Sequence, residues 1–170
     1  METVLTFSIG GLPPFSARGC VQTLKPVQLG KMVRTVNGEL LHLGPKTLKY
    51  KSIIEAKDKS VLAVDNFSPG SHVRVGCIQR LWEKIEGGAR HTITREDVPG
   101  SVSVLDDDQN IIPFSQVGTQ ITLDNYDNLP AGNAYFVTYR PYLDMRITDF
   151  SLKTKEWSME TEWNLFLDEI

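Results

Sequence analysis

The histidine and cysteine side chains are the residues that could bind a transition metal. The chain has three histidines, His42, His72 and His91, and two cysteines, Cys20 and Cys77. Zinc sites pair their ligands at spacings such as C-x₂-C or H-x₃-H, and none of these residues has such a partner. We therefore predict no metal site. We expect both cysteines to be reduced and in or near the core, because two thiols do not make a disulfide framework.

Carboxylates could bind calcium or act as an acid–base pair. Asp106, Asp107 and Asp108 are consecutive, whereas the calcium loop of an EF-hand alternates its acidic residues and ends on a glutamate. We interpret them as a hairpin tip, since Asp favours turns. Glu160 and Glu162 share one face of a predicted strand, which is typical of the solvent side of an antiparallel sheet. A glycosidase pair is left open, because such carboxylates meet only in the fold.

The sequence has no motif for a nucleophile or a nucleotide. It contains no G-x-S-x-G elbow, no G-x-x-x-x-G-K-[ST] loop and no G-x-G-x-x-G loop. We therefore predict that the protein is not an enzyme and has neither catalytic residues nor a cofactor. Trp82, Trp157 and Trp163 could stack on sugars, but two of them lie on the predicted core face of the last strand. Packing is the favoured interpretation.

The charge and hydropathy of the chain argue against two classes of partner. A net charge of -3, from 18 basic and 21 acidic residues, lacks the positive excess that duplex binding requires, so we expect no nucleic-acid binding. The segment Met1–Gly10 has no basic region of the kind that begins a signal peptide. No run approaches the roughly 20 apolar residues of a membrane span. We expect a soluble protein, made in a cytosol, without membrane insertion.

The elements that must carry these side chains are strands. The run Trp157–Leu167 alternates apolar and polar residues with a period of two, which predicts a long antiparallel strand. The side chains that this pattern buries are Trp157, Met159, Trp163, Leu165 and Leu167. Upstream, alternation that ends at Ile147 resumes at Phe150 in the opposite phase. This shift predicts a β-bulge near Thr148–Asp149.

Turn residues recur about every ten positions, which is typical of all-β proteins. Asn37–Gly38 separates Arg34–Val36 from Leu40–Leu43, and this arrangement predicts a β-hairpin with a type I′ turn. The predicted fold class is all-β, an antiparallel β-sandwich or β-barrel. The alternation pattern does not distinguish these two architectures.

The length of 170 residues predicts a single β domain spanning residues 1–170. Within it, residues 86–133 are polar and rich in turns, and we interpret them as an insertion. Short strands are expected at Val102–Leu105, Ile111–Phe114 and Thr119–Leu123. Together they predict a small inserted β-hairpin or three-strand element.

Several blocks occur in an order that composition alone does not explain. They are Leu12–Gly19 (LPPFSARG), Gln22–Pro26 (QTLKP), Arg34–Leu40 (RTVNGEL), Lys49–Ile54 (KYKSII), the Pro69–Gly70 turn, Tyr139–Met145 (YRPYLDM), and Glu156–Trp157 with Trp163–Leu165. Together they resemble tail-associated virion proteins of long-tailed, siphovirus-like bacteriophages. The resemblance covers most of residues 12–85 and 135–170. Leu129–Gly132 is also similar to segments that precede strands in other phage structural modules.

This resemblance implies a structural virion protein of the tail tip or baseplate, similar to a distal tail protein. It implies a threefold or sixfold ring of identical copies, contacts with other tail-tube and tail-tip proteins, and a location in the virion tail after synthesis in the host cytoplasm. Rings need head-to-tail or self-complementary interfaces, for which edge strands and projecting loops are suited. Four arginines are candidate interface residues, because guanidinium groups pair with carboxylates on a neighbour: Arg18, Arg34, Arg140 and Arg146.

Two other functions stay open at this point. One is a carbohydrate- or receptor-binding β module that contacts the host surface through exposed aromatic residues, with Tyr126 and Tyr135 of the insertion as the place to look. The other is a cell-wall hydrolase with dispersed acids, which would need a cleft and a carboxylate of strongly perturbed pKa. The insertion could serve assembly or host contact.

Overall fold

The protein is built from antiparallel β-strands, in agreement with the predicted fold class. A computed structural model describes residues 3–27, 30–44, 48–86, 88–128 and 133–170. Within these ranges 55% of the chain is strand, and the described part of the chain contains no α-helix. In chain order the strands are β1 (Thr6–Phe7), β2 (Val21–Val27), β3 (Lys31–Arg34), β4 (Leu40–Leu43), β5 (Lys49–Asp58), β6 (His72–Gly76), β7 (Leu81–Ile85), β8 (Arg90–Thr92), β9 (Ser103–Asp106), β10 (Phe114–Val117), β11 (Gln120–Leu123), β12 (Tyr135–Tyr139), β13 (Tyr142–Lys155) and β14 (Glu160–Glu169). One 3₁₀ turn spans Tyr126–Asn128.

The strands form four sheets. A six-stranded sheet has the order β1-β6-β13-β14-β5-β2. Two three-stranded sheets have the orders β10-β11-β8 and β7-β12-β9, and β3 pairs with β4 in a two-stranded sheet. The described strand pairs are antiparallel, as the alternation predicts.

The chain divides into two compact units. The described residues of the first unit fall within Met1–Thr3, Ser8–Val73 and Asp144–Ile170, and those of the second within Val4–Phe7 and Arg74–Leu143. The region predicted as an insertion, residues 86–133, falls inside the second unit, and Leu129–Gly132 lies outside the described residues. A single folding domain stays a prediction.

The core of the first unit is formed along β14 and its neighbours. Trp163, Leu165 and Leu167 are buried, and the residues between them are half-buried, so the predicted alternation is confirmed here. Each buried side chain of this size contributes about 1.5–3 kcal/mol relative to exposure. The register shifts between Ile147, opposite Leu167, and Asp149, opposite Phe166, which confirms the predicted bulge.

The same alternation is wrong at the beginning of the run. Strand β14 starts at Glu160, and residues 156–159 form the turn that connects β13 to β14. Trp157 is 95% exposed and Met159 is also exposed, so neither belongs to the core. Alternation predicts the phase of a strand but not its first residue, which here follows from the pairing of Lys155 with Glu160.

The predicted hairpin at Asn37–Gly38 is confirmed, with a different turn. Val36, Asn37 and Gly38 form the loop, Gly38 N–H donates to the Thr35 carbonyl at 2.9 Å, and Thr35 N–H donates to the Glu39 carbonyl at 2.8 Å. Only Gly38 has a positive φ, at 82°. A type I′ turn needs positive φ at two positions, so this loop is instead a type I turn followed by a left-handed glycine.

The second unit has its own apolar core. Nine buried residues form it: Ile85, Ile93, Val104, Ile112, Ile121, Leu123, Tyr135, Val137 and Tyr139. A small three-stranded sheet lies in the region of the predicted insertion, but its members differ from those expected. Strand β9 pairs with β12, and β8 takes its place beside β11. Sequence patterns do not show this exchange, because both strands have the same period.

Candidate assembly surface

The β3–β4 hairpin of the first unit, here called the apolar arm (residues 30–44), carries a group of exposed apolar side chains. Its strands pair only with each other among the described residues. Exposed apolar side chains occupy both strands and the loop: Met32, Val36, Leu40, Leu41 and Leu43. Their exposed fractions run from 44% for Leu41 to 105% for Val36. Monomeric proteins rarely leave so many neighbouring apolar residues in water, so the apolar arm is a candidate interface.

The register shows that both faces of the apolar arm carry apolar side chains. Met32 lies opposite His42, and Leu40 opposite Arg34, on one face. Leu41 and Leu43 lie on the other face, opposite Val33 and Lys31 respectively. A two-stranded hairpin is marginally stable in water unless a further surface covers it. The apolar arm therefore has the composition of an element that becomes buried on assembly.

A second exposed apolar element is the connection between β13 and β14, here called the Trp157 turn (residues 156–159). Trp157 and Met159 project from it into solvent. Met159 has a φ of 47°, in the left-handed region that bulky residues rarely occupy. Such backbone conformations persist where the surroundings enforce them, and they are frequent at binding sites.

The four arginines predicted as interface residues all have partners in their own chain. Arg18 forms an ion pair with Asp58 at 2.6 Å, and its guanidinium lies 4.6 Å from the Phe15 ring centroid. Hydrogen bonds from Arg18, with further backbone donors, hold the pKa of Asp58 well below its ordinary value. The other three donate to backbone carbonyls: Arg34 to Gly38, Arg140 to Val4 and Arg146 to Gly70. Their role at an interface stays a prediction.

A carboxylate network in the second unit was missed by the sequence analysis. Tyr139 Oη and Thr94 Oγ1 each donate to Glu83 Oε1 at 2.6 Å, Thr94 N–H adds a third bond, and His91 Nε2 lies 2.9 Å from Oε2. Burial raises the pKa of Glu83, but the hydrogen bonds from Thr94, Tyr139 and His91 outweigh it and lower the pKa overall. Burial and the Glu83 bond raise the pKa of Tyr139 to about 12. The network connects β7, β8 and β12.

The remaining histidines, the cysteines and the aspartate cluster have structural positions. His72 Nε2 lies 3.6 Å from Asp144, and His42 is exposed on the apolar arm. Both cysteines are free thiols. Asp106 accepts bonds from the backbone of Asp108 and Asn110, which closes the predicted hairpin tip. Within the described ranges no three His, Cys, Asp or Glu side chains are grouped as metal ligands.

Glu160 and Glu162 are part of a charged ladder across three strands. Lys57 on β5 lies 3.2 Å from Glu160 and 3.8 Å from Glu162. Lys153 and Lys155 on β13 contact the same two carboxylates from the other side. Hydrogen bonding and charge attraction from Lys57 lower the pKa of Glu160, whereas a catalytic acid needs a raised one.

The aromatic candidates divide between core and surface. Trp163 is fully buried, and its Nε1 donates to the Ser16 carbonyl at 2.7 Å. Trp82 and Tyr126 are exposed, whereas Tyr135 belongs to the core of the second unit. The packing interpretation is therefore confirmed for Trp163 and wrong for Trp157 and Trp82, which are exposed.

The sequence shows that both faces of the apolar arm carry apolar residues, but not whether another layer covers them. Apolar residues stand at even and odd positions of Leu40–Leu43, so no phase of the strand hides them all. The Trp157 turn carried no such signal.

Comparison with known proteins gives no relative. No family model matches the chain, and neither a curated protein nor a solved structure matches it at a significant level. Among the described residues, no helix has the length and apolar character needed to cross a membrane.

Proposed function

We propose that this protein is a non-enzymatic structural component of a bacteriophage tail tip or baseplate. In this proposal it is a distal-tail or hub-associated protein that assembles with copies of itself into a threefold or sixfold ring. The ring connects the tail tube to tip proteins, and the protein resides in the virion tail after synthesis in the host cytoplasm. The proposal rests on the ordered blocks described above and on the surface of the molecule.

The observation that carries the proposal is the apolar arm. It is a two-stranded hairpin with exposed apolar residues on both faces, and such a hairpin gains stability only when a partner covers it. An assembly protein needs such an element on a rigid scaffold. The long paired strands β5, β13 and β14 provide that scaffold in the first unit.

The chemistry of the described side chains supports a non-enzymatic role. Glu83 lies in a partly buried hydrogen-bond network, and the hydrogen bonds lower its pKa rather than raise it. Glu160 is neutralised by lysines in the same way. Carboxylates with lowered pKa are poor general acids and bases near neutral pH, and they are typical of structural networks.

The test is the mass of the purified protein by light scattering coupled to size exclusion, followed by electron microscopy of the peak. We expect a ring of three or six copies. A strict monomer at high concentration, also in the presence of tail-tube protein, would refute self-assembly.

An arm variant connects the assembly to the observation. Leu41→Ser with Leu43→Ser removes one apolar face of the apolar arm without touching the buried core. We expect this variant to elute as a monomer with unchanged circular dichroism. The matched control is Ile111→Ser with Val117→Ser, which removes two exposed apolar side chains from the second unit and should leave the mass unchanged. Rings of normal mass from the arm variant would contradict the proposed role of the arm.

The second candidate is a carbohydrate- or receptor-binding module, which the exposure of Trp82 and Trp157 favours. Indole rings in water are suited to stacking on sugars. Two results together would favour this candidate over the first. The wild type would form no ring but bind host cells as a monomer, and Trp82→Ala would lose this binding.

A further inference from the structure

The two exposed apolar elements of the first unit lie at opposite ends of its paired strands. Val27 of β2 pairs with Lys49 of β5, and the apolar arm connects these two residues at that end. Strand β5 runs from Lys49 to Asp58, and Asp58 pairs with Thr161, next to the Trp157 turn. The β5–β14 ladder runs from Thr161, opposite Asp58, to Asp168, opposite Lys51, so its two ends are seven residue steps, about 23 Å, apart. The root of the apolar arm therefore lies at one end and the Trp157 turn at the other.

We infer that the apolar arm of one copy docks on the Trp157 turn of the next copy. The inference rests on the proposed function, since it names the contact through which the ring would form. An interface between two different patches on opposite ends of one molecule is head-to-tail, and head-to-tail interfaces close into rings when the rotation permits. The occupant of the Trp157 turn is thus a second copy of this chain.

The exposed apolar areas of the two elements match in size. The apolar arm leaves on the order of 500 Å² of apolar surface in water, and Trp157 with Met159 leaves on the order of 400 Å². A standard interface buries about 800 Å² per partner, of which somewhat more than half is apolar, or roughly 500 Å². The two elements therefore carry apolar surface on the scale of one standard interface. Phe15 is also exposed, and its carbonyl accepts hydrogen bonds from the backbone N–H groups of Lys59 and Ser60. Phe15 therefore lies at the same end as the Trp157 turn.

A cavity beside the Trp157 turn provides a receptor for the tip of the apolar arm. Its volume is about 530 Å³, and six residues line it: Lys57, Asp58, Lys59, Ser158, Met159 and Glu160. Four of these lining residues are charged, and Met159 is the apolar one. Val36, the most exposed apolar side chain of the apolar arm, stands at the centre of its loop and is the residue placed to enter.

The backbone of Met159 supports a binding role for this turn. Its φ of 47° is unfavourable for a side chain of this size, and the conformation holds Met159 at the wall of the cavity. The neighbouring strands enforce it, because Lys155 and Glu160 are fixed opposite each other by the β13–β14 register.

Cross-linking between engineered cysteines tests the contact directly. Asn37→Cys places a thiol in the loop of the apolar arm, and Ser158→Cys places one in the Trp157 turn, both at exposed polar positions that leave the apolar side chains intact. Both changes are made in one chain that also carries Cys20→Ser, and Cys77 is kept because its side chain is fully buried. The linker is a short bis-maleimide. The matched control is Asn37→Cys with Ser115→Cys, in which the second thiol is equally exposed on β10.

We expect the Asn37→Cys/Ser158→Cys chain to give a ladder of covalent species ending at the ring size, with at least tenfold more product than the Ser115→Cys control. Cross-linked pairs from Asn37→Cys alone, at the yield of the double variant, would show that arm meets arm and would overturn the inference. Rings that form normally but give no ladder would overturn the inference and leave the proposed function standing. A monomeric double variant beside a monomeric wild type would refute both.

Discussion

Replacing Trp163 by phenylalanine tests how the first unit is held together. Trp163 is 0% exposed in the middle of β14, between Leu152 on β13 and Ala56 on β5. Its Nε1 donates to the carbonyl of Ser16, which lies 147 positions earlier in the chain. Ser16 is itself fully buried, so water does not replace the lost donor. The indole therefore attaches a long loop to the core strands.

The expected loss has two parts. Removal of a donor from a buried carbonyl costs about 1–3 kcal/mol. The smaller ring leaves a cavity of a few tens of Å³, which at about 24 cal/mol per Å³ costs about 1 kcal/mol. We expect Trp163→Phe to lower the free energy of unfolding by about 2–4 kcal/mol. Domains of this size have about 5–15 kcal/mol in total, so the variant should still fold.

The assay is urea denaturation followed by far-ultraviolet circular dichroism, because tryptophan fluorescence changes with the substitution itself. The matched control is Trp157→Phe, the same substitution at an exposed residue in the turn before β14. We expect the control to change stability by less than about 0.5 kcal/mol. Equal losses in the two variants, or no loss at Trp163, would refute the assignment of one tryptophan to the core and the other to the surface.

Two further predictions concern backbone geometry and pH. A Cβ on Gly10 would lie 2.6 Å from the Ala63 carbonyl and against the Phe67 ring, whereas Gly19 has the same φ of 66° and open space around it. We expect Gly19→Ala to lower the free energy of unfolding by about 1–2 kcal/mol, because of the left-handed backbone alone, and Gly10→Ala to lower it clearly more. Thermal unfolding measures both losses. Equal losses would contradict the clash at Gly10. Because its folded pKa is lowered, Glu83 contributes stability that is present above its ordinary pKa of 4.5 and lost as the pH falls through the folded value. The difference in unfolding free energy between wild type and Glu83→Gln should shrink on acidification, and a difference that grows below that pH would contradict the network.

Local features of the sequence were sufficient for much of the fold. The alternation in β14, the hairpin at Asn37–Gly38 and the bulge after Ile147 are all confirmed. Each depends on residues next to one another in the chain, because the period of two and the need for positive φ at a glycine act locally. The ordered blocks that suggested a tail protein are also a property of the sequence alone, and the function they imply stays a proposal.

The candidate surface was only partly accessible to sequence reasoning. The four arginines were chosen for their chemistry, but the fold gives each of them a partner in its own chain. The apolar arm lies within a hairpin that was predicted, yet its exposure was not. Exposure depends on whether a second layer covers a strand, and no residue within the hairpin encodes that.

What the sequence determined by itself is the phase of the strands and the positions of several turns, since both follow from neighbouring residues. The tertiary structure decided which strands pair, as in the placement of β9 beside β12, and where each strand begins. Trp157 and Trp163 show the physical reason. They share one phase of the same alternation, but the register of β13 against β14 ends the ladder at Lys155 and Glu160. The end of the β13–β14 ladder thus leaves Trp157 in the turn, in water, whereas Trp163 is buried where β14 also pairs with β5, a strand far earlier in the chain.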